Sequence, residues 1–272
     1  MSTPFHIGVI TDEVSRNLEE ALATSTAWGL SRFELREGEE RRFPFFSADE
    51  IQLVEGVMRR GAQITAVSPG ILKAHADDEA TVREELENTL PRAIDMAGRF
   101  DCPLLIVFGF ERYEGEPDGN RVRVLKAFEQ VAEAAAEAGM IAAIENEPNF
   151  WIDRPAEIVS LLEELGHPAL KINWDPANLR WGGQEPTHDD FEMLKPHIAN
   201  VHVKDYTPDN PDAPWVPVGQ GVLDWETILG WIIEETNLPH ATMETHCVPL
   251  LEKSRESLDR IEEIVAAVQT TN

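Results

Sequence analysis

The stretch "ALKINWD", residues 169–175, alternates apolar and polar residues and ends on a carboxylate. In a β-strand, Leu170, Ile172 and Trp174 lie on one face, and the polar residues between them lie on the other. The stretch "ANVHVKD", residues 199–205, repeats this arrangement further along the chain. The pattern indicates strands whose apolar face packs against helices and whose opposite face turns towards a polar centre.

Strand-like segments alternate with helical patterns along the chain. The strands begin near His6, Arg32, Gln63, Pro103, Met140, Ala169, Ala199 and Ala241. Residues 47–61 show one intervening helix, with a capping box at Ser47 and Glu50 and a stop at Gly61. Eight such units without a linker predict an α/β protein, a closed (β/α)8 TIM barrel that uses residues 1–272 as a single domain.

The composition limits the possible functions. The formal net charge is −27, from 50 acidic and 23 basic residues, and a field of that sign repels nucleic-acid phosphates. No apolar run approaches the ~20 residues that span a bilayer, and the first residues show no signal-peptide pattern. We therefore expect a cytoplasmic protein with neither a nucleic-acid nor a membrane partner. Cys102 and Cys247 lie far apart, which predicts two unreactive thiols.

Polar residues on the inward face gather at the carboxyl ends of the last four strands, where active sites of such barrels are built. They are Glu145, Glu147, Asp175, His202, Lys204 and Glu244. A single histidine at a strand end is more often a hydrogen-bonded core residue, but several buried carboxylates together require a positive charge among them. We predict one divalent ion, Mn²⁺, Mg²⁺, Co²⁺ or Zn²⁺, held by Glu145, Asp175, His202 and Glu244.

An ordered set of motifs gives the chain a resemblance to a known family. The motifs are "GMIAAIENEP", "WDPANL", "NVHVKD", "PVGQGVLDW" and "METH", with "IGVITDEV" and "FELR" nearer the start. The chain resembles the sugar-phosphate isomerase/epimerase family, which has a xylose isomerase-like barrel. This resemblance implies one catalytic divalent metal on the same four residues. It also implies that Glu145 and Glu244 act as acid and base in members that epimerise ketoses.

Two departures from the family pattern weigh against one particular epimerase activity. Ketose epimerases of the family commonly have D-x-x-H on the sixth strand, where this chain has Asp175 followed by Asn178. Asparagine binds a hydroxyl group but does not titrate, so Asn178 is predicted to orient substrate. Those enzymes also place an arginine shortly after the histidine of the seventh strand, where this chain reads "YTPDNPDAP".

Other residues near the strand ends are candidates for substrate binding. Lys204 suits a carboxylate or phosphate group, with pairing to a neighbouring acid as an equal alternative. Glu147 and His246 lie on the inward side of their strands, with a loop or surface role as the alternative for each. Trp181, together with Trp151 and Phe110, follows a strand and is expected to form an apolar wall against a sugar.

Residues 205–225 are interpreted mainly as structural. Asp205 is expected to orient a metal ligand by a hydrogen bond. Gly219 and Gly221 permit a tight turn, Asp224 is placed to cap the next helix, and Trp225 is expected to pack beneath it.

These observations predict a divalent-metal-dependent sugar isomerase or epimerase that acts on a small polyhydroxy ketone or aldehyde through an ene-diolate. A lyase resembling inosose dehydratase is the alternative within the same chemistry, because the same enolate expels a β-hydroxyl group. An abasic-site endonuclease would need a richer zinc-ligand set and a basic face. A metal-binding carbohydrate sensor without turnover is a fourth interpretation. The sequence leaves the native metal and homo-oligomer formation open.

Overall fold

Eight parallel strands close into a barrel in the computed structural model, which describes residues 5–271. They are β1 (His6–Ile10), β2 (Arg32–Leu35), β3 (Gln63–Val67), β4 (Leu104–Val107), β5 (Ile141–Glu145), β6 (Leu170–Trp174), β7 (Ile198–Val203) and β8 (His240–Met243). Each strand pairs with its sequence neighbours, and β8 pairs with β1 to close the sheet. The predicted (β/α)8 barrel is confirmed, and every predicted strand start lies within one residue of the observed one.

Helices surround the barrel. They are α1 (Leu18–Ala27), α2 (Ala48–Met58), α3 (Glu79–Glu84), α4 (Leu90–Arg99), α5 (Asn120–Glu137), α6 (Pro155–Leu165), α7 (Pro176–Trp181), α8 (His188–Leu194), α9 (Trp225–Glu235) and α10 (Leu250–Thr271). The predicted capping box is present at α2, where Ser47 accepts from Glu50 N–H and the Glu50 carboxylate accepts from Ser47 N–H. Residues 1–4 and 272 lie outside the described residues. They are part of the predicted domain, and residues 1–4 are part of the segment in which no signal peptide is predicted.

The core has two layers on either side of the sheet. A large cluster fills the space between strands and helices, and a small one, built on Ala66, Leu104, Ile106 and Ala143, fills the barrel interior. Above this small cluster the inward residues are polar and buried, among them Asn173. The interior is therefore an apolar plug beneath a polar layer at the carboxyl end, as the alternation of the strands predicts.

A short loop structure follows β7 and covers one side of the barrel mouth. Residues Asp205–Tyr206 pair antiparallel with Trp215–Val216. The Asp205 carboxylate accepts backbone N–H groups of Gly219, Gly221 and Leu223 at 3.0–3.2 Å. The expectation that Asp205 orients a metal ligand is therefore wrong, because these loop amides occupy its oxygens.

The glycine and capping predictions for this loop are confirmed. Gly219 has a φ of +85°, and a Cβ on Gly221 would collide with the Asp205 carboxylate. Asp224 caps α9 by accepting Thr227 N–H at 3.1 Å. The buried Trp225 indole donates to Lys204 O at 3.0 Å, which fixes the loop against the end of β7.

Among the described residues, no helix combines the length and apolar character needed to cross a bilayer.

Candidate active site

Four side chains from consecutive barrel strands meet at the carboxyl end. Glu145 ends β5, Asp175 follows β6, His202 lies in β7 and Glu244 follows β8. All four are buried, and one ligand atom from each lies within 4.8 Å of the others. The structure thus brings together the four residues that the sequence predicts as metal ligands.

The His202 ring is oriented by carboxylates on both sides. Its Nε2 lies 3.0 Å from Glu34 Oε2, and its Nδ1 lies 3.2 Å from Glu244 Oε2 and 3.6 Å from Glu145 Oε2. Burial alone would lower the pKa of His202, but these carboxylates outweigh it and raise the pKa well above its ordinary value. Glu34 therefore holds one ring nitrogen and leaves Nδ1 turned towards the cluster.

A floor of uncharged polar groups lies under the cluster. Asn173 Nδ2 lies 3.1 Å from His202 Nδ1, and Asn173 Oδ1 accepts from Asn200 Nδ2 at 3.0 Å. Thr242 Oγ1 donates in turn to Asn200 Oδ1 at 3.4 Å. This series of hydrogen bonds satisfies buried polar atoms without adding charge, and it separates the cluster from the apolar plug below.

Two asparagines fix the loop positions of the β5 and β6 ligands. Asn146 Oδ1 accepts Asp175 N–H at 2.8 Å, and Asn146 Nδ2 donates to Asp175 O at 2.9 Å. Asn178 Nδ2 donates to Asn146 O at 2.9 Å and to Glu145 Oε1 at 3.3 Å. Asn178 thus lies behind Glu145 and positions its carboxylate, whereas the sequence predicts direct contact with substrate.

Lys204 inserts its ammonium group between two of the predicted ligands. Its Nζ lies 2.7 Å from Asp175 Oδ2 and 3.0 Å from Glu244 Oε2. Burial lowers the pKa of Lys204, but the two carboxylates more than compensate and raise it above the ordinary value. Burial raises the pKa of Asp175 despite this contact. Of the two roles left open by the sequence, the structure has Lys204 paired with neighbouring acids.

A second cation of the site, the partly buried Arg36, was missed by sequence reasoning. Its Nη1 lies 2.6 Å from Glu244 Oε1, and its Nη2 lies 2.7 Å from Asp12 Oδ2 and also contacts Glu13. Arg36 follows Glu34 on the inward face of "FELR", so strand alternation was the signal that could have revealed both residues.

His246 completes the charged rim beside Glu244. Its Nδ1 lies 3.1 Å from Glu13 Oε1, and its Nε2 lies 3.3 Å from Glu244 Oε1. Burial opposes protonation, yet Glu244 and Glu13 raise the pKa of His246 to about 9. Burial would raise the pKa of Glu244, but Lys204, His246 and other cations hold it well below the ordinary value.

A cavity of about 230 Å³ opens directly above the cluster. Its wall includes Glu147, whose carboxylate lies 2.9 Å from Lys73 Nζ, and Arg42, which donates to Ser68 O at 3.2 Å. Phe108 supplies the apolar part of the wall, with Lys73 Nζ 3.8 Å from its ring centre. Glu147, Lys204 and His246 all line this cavity, as the sequence predicts for residues near substrate.

The predicted apolar walls are placed differently. Phe110 is fully buried and packs against Phe128, so the expectation that it contacts a sugar is wrong. Trp151 packs against Arg112, with 4.4 Å from the guanidinium carbon to the ring centre. Trp181 is 54% exposed and its ring centre lies 5.4 Å from that of Trp215, outside the cavity wall.

The donor set fits a divalent cation. Three carboxylate oxygens and one imidazole nitrogen converge from rigid strand ends, a combination that suits hard or borderline ions. Asp175 Oδ2 is buried at the cluster with Lys204 Nζ 2.7 Å away, and a bound ion would share this oxygen with the ammonium group. Glu34 provides the carboxylate partner that metal-binding histidines usually have.

The family model for xylose isomerase-like TIM barrels matches residues 22–264. The chain belongs to this family. Two curated relatives share part of its sequence. One is the 3-dehydroshikimate dehydratase of Bacillus anthracis, 28% identical over 135 residues, 44% of this chain and 46% of the relative. The other is the 2-epi-5-epi-valiolone 7-phosphate 2-epimerase of an Actinoplanes species, 29% identical over 136 residues, 50% of this chain and 48% of the relative. The matched segments span less than half of each relative.

Solved structures share the fold of this xylose isomerase-like barrel over nearly its whole length. An L-ribulose 3-epimerase superposes with a TM-score of 0.79 at 14% identity, covering 98% of this chain and 96% of that one. A xylose isomerase-like protein from Mycobacterium smegmatis in complex with magnesium gives a TM-score of 0.74 at 16% identity, covering 98% and 99%. At identities of 14% and 16%, this similarity shows a shared fold and nothing beyond the fold.

Proposed function

We propose that this chain is a divalent-metal-dependent isomerase or epimerase of a small polyhydroxy ketone or aldehyde. The observation that carries the proposal is the convergence of Glu145, Asp175, His202 and Glu244 beneath a small polar cavity. We further propose that these four residues hold one ion, Mn²⁺, Mg²⁺, Co²⁺ or Zn²⁺. When bound, such an ion supplies positive charge that stabilises the oxygens of an ene-diolate.

The two glutamates are proposed to move the proton, and their surroundings make them unequal. Glu244 contacts three cations, Arg36, Lys204 and His246, which stabilise its ionised form. Glu145 is held by amide groups of Asn173 and Asn178 as well as by His202. Because a carboxylate with fewer cations around it binds a proton more readily, Glu145 is the stronger base of the pair. It removes the α-proton in our proposal, and protonated His246, 3.3 Å from Glu244, supplies the proton that Glu244 passes to the other position or face.

The residues of the cavity wall are proposed to hold the substrate. Lys204, Glu147 and His246 are placed to bind hydroxyl or carbonyl oxygens, and Phe108 faces the C–H side of the molecule. Asn178 contributes by fixing Glu145. Trp181 contributes through Trp215, whose ring centre lies 5.5 Å from that of His246.

A lyase reaction is the second candidate, and the position of His246 favours it. After Glu145 removes the α-proton, the electron pair of that C–H bond forms a C=C bond and expels a β-hydroxyl group. His246, next to Glu244 in the cavity wall, is placed to protonate the hydroxyl so that water leaves. The curated dehydratase relative supports this candidate.

The proposal extends to the cellular setting. The substrate is a free small molecule, because the strongly negative chain disfavours nucleic acid. We also propose that residues 1–272 form one domain of a cytoplasmic enzyme of carbohydrate metabolism. Manganese is our first choice of metal, because an oxygen-rich site with one imidazole suits a hard to borderline ion.

Incubation with substrates in D₂O distinguishes the two candidates. The protein, loaded with Mn²⁺ or Mg²⁺, is mixed with a panel of ketoses, inososes, hydroxypyruvate and 3-dehydroshikimate, and products are followed by NMR. An isomerase or epimerase gives a product of unchanged composition with deuterium at the reacting carbon. A lyase gives an unsaturated or keto product with loss of water. The Glu145→Gln variant is the matched control, and equal conversion by this variant would contradict the proposal.

A further inference from the structure

The opposite end of the barrel has a cavity of its own. It measures about 510 Å³ and lies at the amino ends of β2, β3 and β8, far from the cluster at the carboxyl end. Arg32, Gln63 and His240 start these three strands and line the cavity. The cavity therefore has polar groups from neighbouring strands at one end, and nothing in the proposed reaction uses them.

His240 has no hydrogen-bond partner although it is buried. His240 is only 8% exposed, and neither its Nδ1 nor its Nε2 has a hydrogen-bond partner among the described residues. An unpaired buried polar group costs about 1–3 kcal/mol, so folded proteins rarely keep one without a reason. An imidazole that lines a cavity and lacks a partner is available to a ligand.

Arg32 presents an unpaired positive charge to the same cavity. It is partly buried and forms no ion pair with any carboxylate of the described residues, in a chain with 50 acidic and 23 basic residues. Asp101, the acidic residue in the cavity wall, is exposed and does not form an ion pair with it.

Strand register adds a third basic residue. His6 of β1 is aligned with His240 of β8, and β2 with Arg32 lies on the other side of β1. Burial, then the charges of Arg32 and His6, lower the pKa of His240 to about 4. Burial and Arg32 likewise lower the pKa of His6. Three basic groups thus lie at this end of the barrel, and none of them forms an ion pair with a carboxylate of residues 5–271.

The remaining wall of the cavity is largely apolar. Met58, Pro103 and Pro239 keep apolar surface accessible there, whereas Ile64 and Phe100 in the same wall are already buried. A bare inorganic ion would leave these surfaces uncovered, whereas a carbon skeleton would cover them. The cavity is also larger than one ion needs.

We propose that this cavity is a second binding site, which takes a small organic anion with its carboxylate or phosphate group on Arg32 and His240. The anion forms a charge-assisted hydrogen bond with the Arg32 guanidinium and accepts a hydrogen bond from the His240 ring. Its carbon skeleton packs against Met58 and Pro103. This inference does not depend on the proposed reaction, because it uses none of the residues at the carboxyl end.

Titration calorimetry with simple probes tests the site on the full, metal-loaded chain. Benzoate and phenyl phosphate carry the two head groups on the same ring, inorganic phosphate lacks the ring, and benzamide replaces the charge by a neutral amide. We expect one of the two aromatic anions to bind at least about tenfold more tightly than both inorganic phosphate and benzamide. The better of the two aromatic anions identifies the head group.

Variants connect this binding to the cavity. Arg32→Gln is expected to weaken binding of the better probe about tenfold or more, and His240→Asn is an independent test should Arg32→Gln fail to fold. Arg121→Gln removes the same charge from an exposed ion pair with Glu164 on the outer face and should leave the affinity within about twofold.

A crystal structure with 4-bromobenzoate locates the ligand through the anomalous signal of bromine, and the bromine is expected beside Met58 and Pro103. Binding that is unchanged in both Arg32→Gln and His240→Asn would overturn the proposal. So would bromine found solely at the carboxyl end, or no saturable binding of any anion below about 10 mM.

Discussion

Arg36 of the loop after β2 holds Glu244 of the loop after β8, with 2.6 Å between Nη1 and Oε1, although 208 positions separate them in the sequence. Strand β1 lies between the two strands, and its following residues Asp12 and Glu13 contact the same guanidinium. One cation therefore contacts three buried carboxylates from two different loops. Arg36 is not itself a proposed metal ligand, yet the position of one proposed ligand depends on it.

Replacement of Arg36 by methionine should destabilise the protein strongly. The variant keeps much of the side-chain volume but leaves Asp12, Glu13 and Glu244 buried without their shared cation. Removing one partner of a buried ion pair typically costs about 3–5 kcal/mol. Urea unfolding followed by circular dichroism measures the change, with Arg121→Gln as a control expected to stay within about 1 kcal/mol of the wild type. A loss for Arg36→Met no larger than that of the control would contradict this role.

Replacement of His202 by alanine should remove metal binding without unfolding the barrel. We expect affinity for Mn²⁺ to fall about tenfold or more, because an imidazole ligand is lost from a four-residue set. Competition with a chelating dye measures the affinity, and circular dichroism checks the fold. Glu34→Gln is the matched variant, which keeps the ring and loses its carboxylate partner, and should give a smaller loss. A folded His202→Ala protein that binds Mn²⁺ as the wild type does would indicate a packed core histidine instead.

Replacement of Glu145 or Glu244, the proposed acid–base pair, by glutamine should lower turnover by a factor of about 10² or more. The glutamine retains the shape of the side chain but accepts no proton. Because Glu145 is the stronger base, Glu244→Gln should still exchange the α-proton of one substrate epimer with D₂O, and Glu145→Gln should not. Isotope exchange, measured by NMR with each substrate epimer separately, distinguishes the two variants. Turnover near that of the wild type in both variants would transfer the acid–base role to Glu147 or Lys204.

The buried His240 should make the protein less stable in acid. Its pKa is about 4 in the folded protein and 6.5 ordinarily, so the unfolded chain binds more protons between these values. The stability associated with the neutral ring is complete above pH 6.5 and is lost as the pH falls towards 4, a total on the order of 3 kcal/mol. The free energy of unfolding is measured for the wild type and for His240→Gln at several pH values between 4 and 6.5. The difference between the two proteins gives the contribution of His240. A difference that does not vary with pH would rule it out.

The strand pattern made most of the fold predictable, because alternation with a period of two marks both the strand and its inward face. "ALKINWD" and "ANVHVKD" are clear examples, and inward parity also brought the four proposed ligands to one place. Arg36 and Glu34 obey the same alternation, but their partners lie on distant strands, and only the folded barrel reveals the contacts.

The apolar wall was predicted incorrectly for a local reason. Parity continues from β4 through Phe108, which lines the cavity. Phe110 has a φ of +59°, and this left-handed turn carries its ring back into the core against Phe128. Alternation still predicts the first residue after a strand, such as Asp175 or Glu244, but it becomes unreliable further into the loop.

The uncharged floor of Asn173, Asn200 and Thr242 determines where protons travel. Amides and a hydroxyl group do not ionise near neutral pH, and the apolar plug of Ala66, Leu104, Ile106 and Ala143 lies below them. A proton taken from the substrate therefore leaves through the mouth, past Glu147, Lys204 and His246. With substrate filling that mouth, the same proton has time to return to carbon before it mixes with water. A substrate deuterated at the reacting carbon should then keep its label in the unconverted fraction while product accumulates.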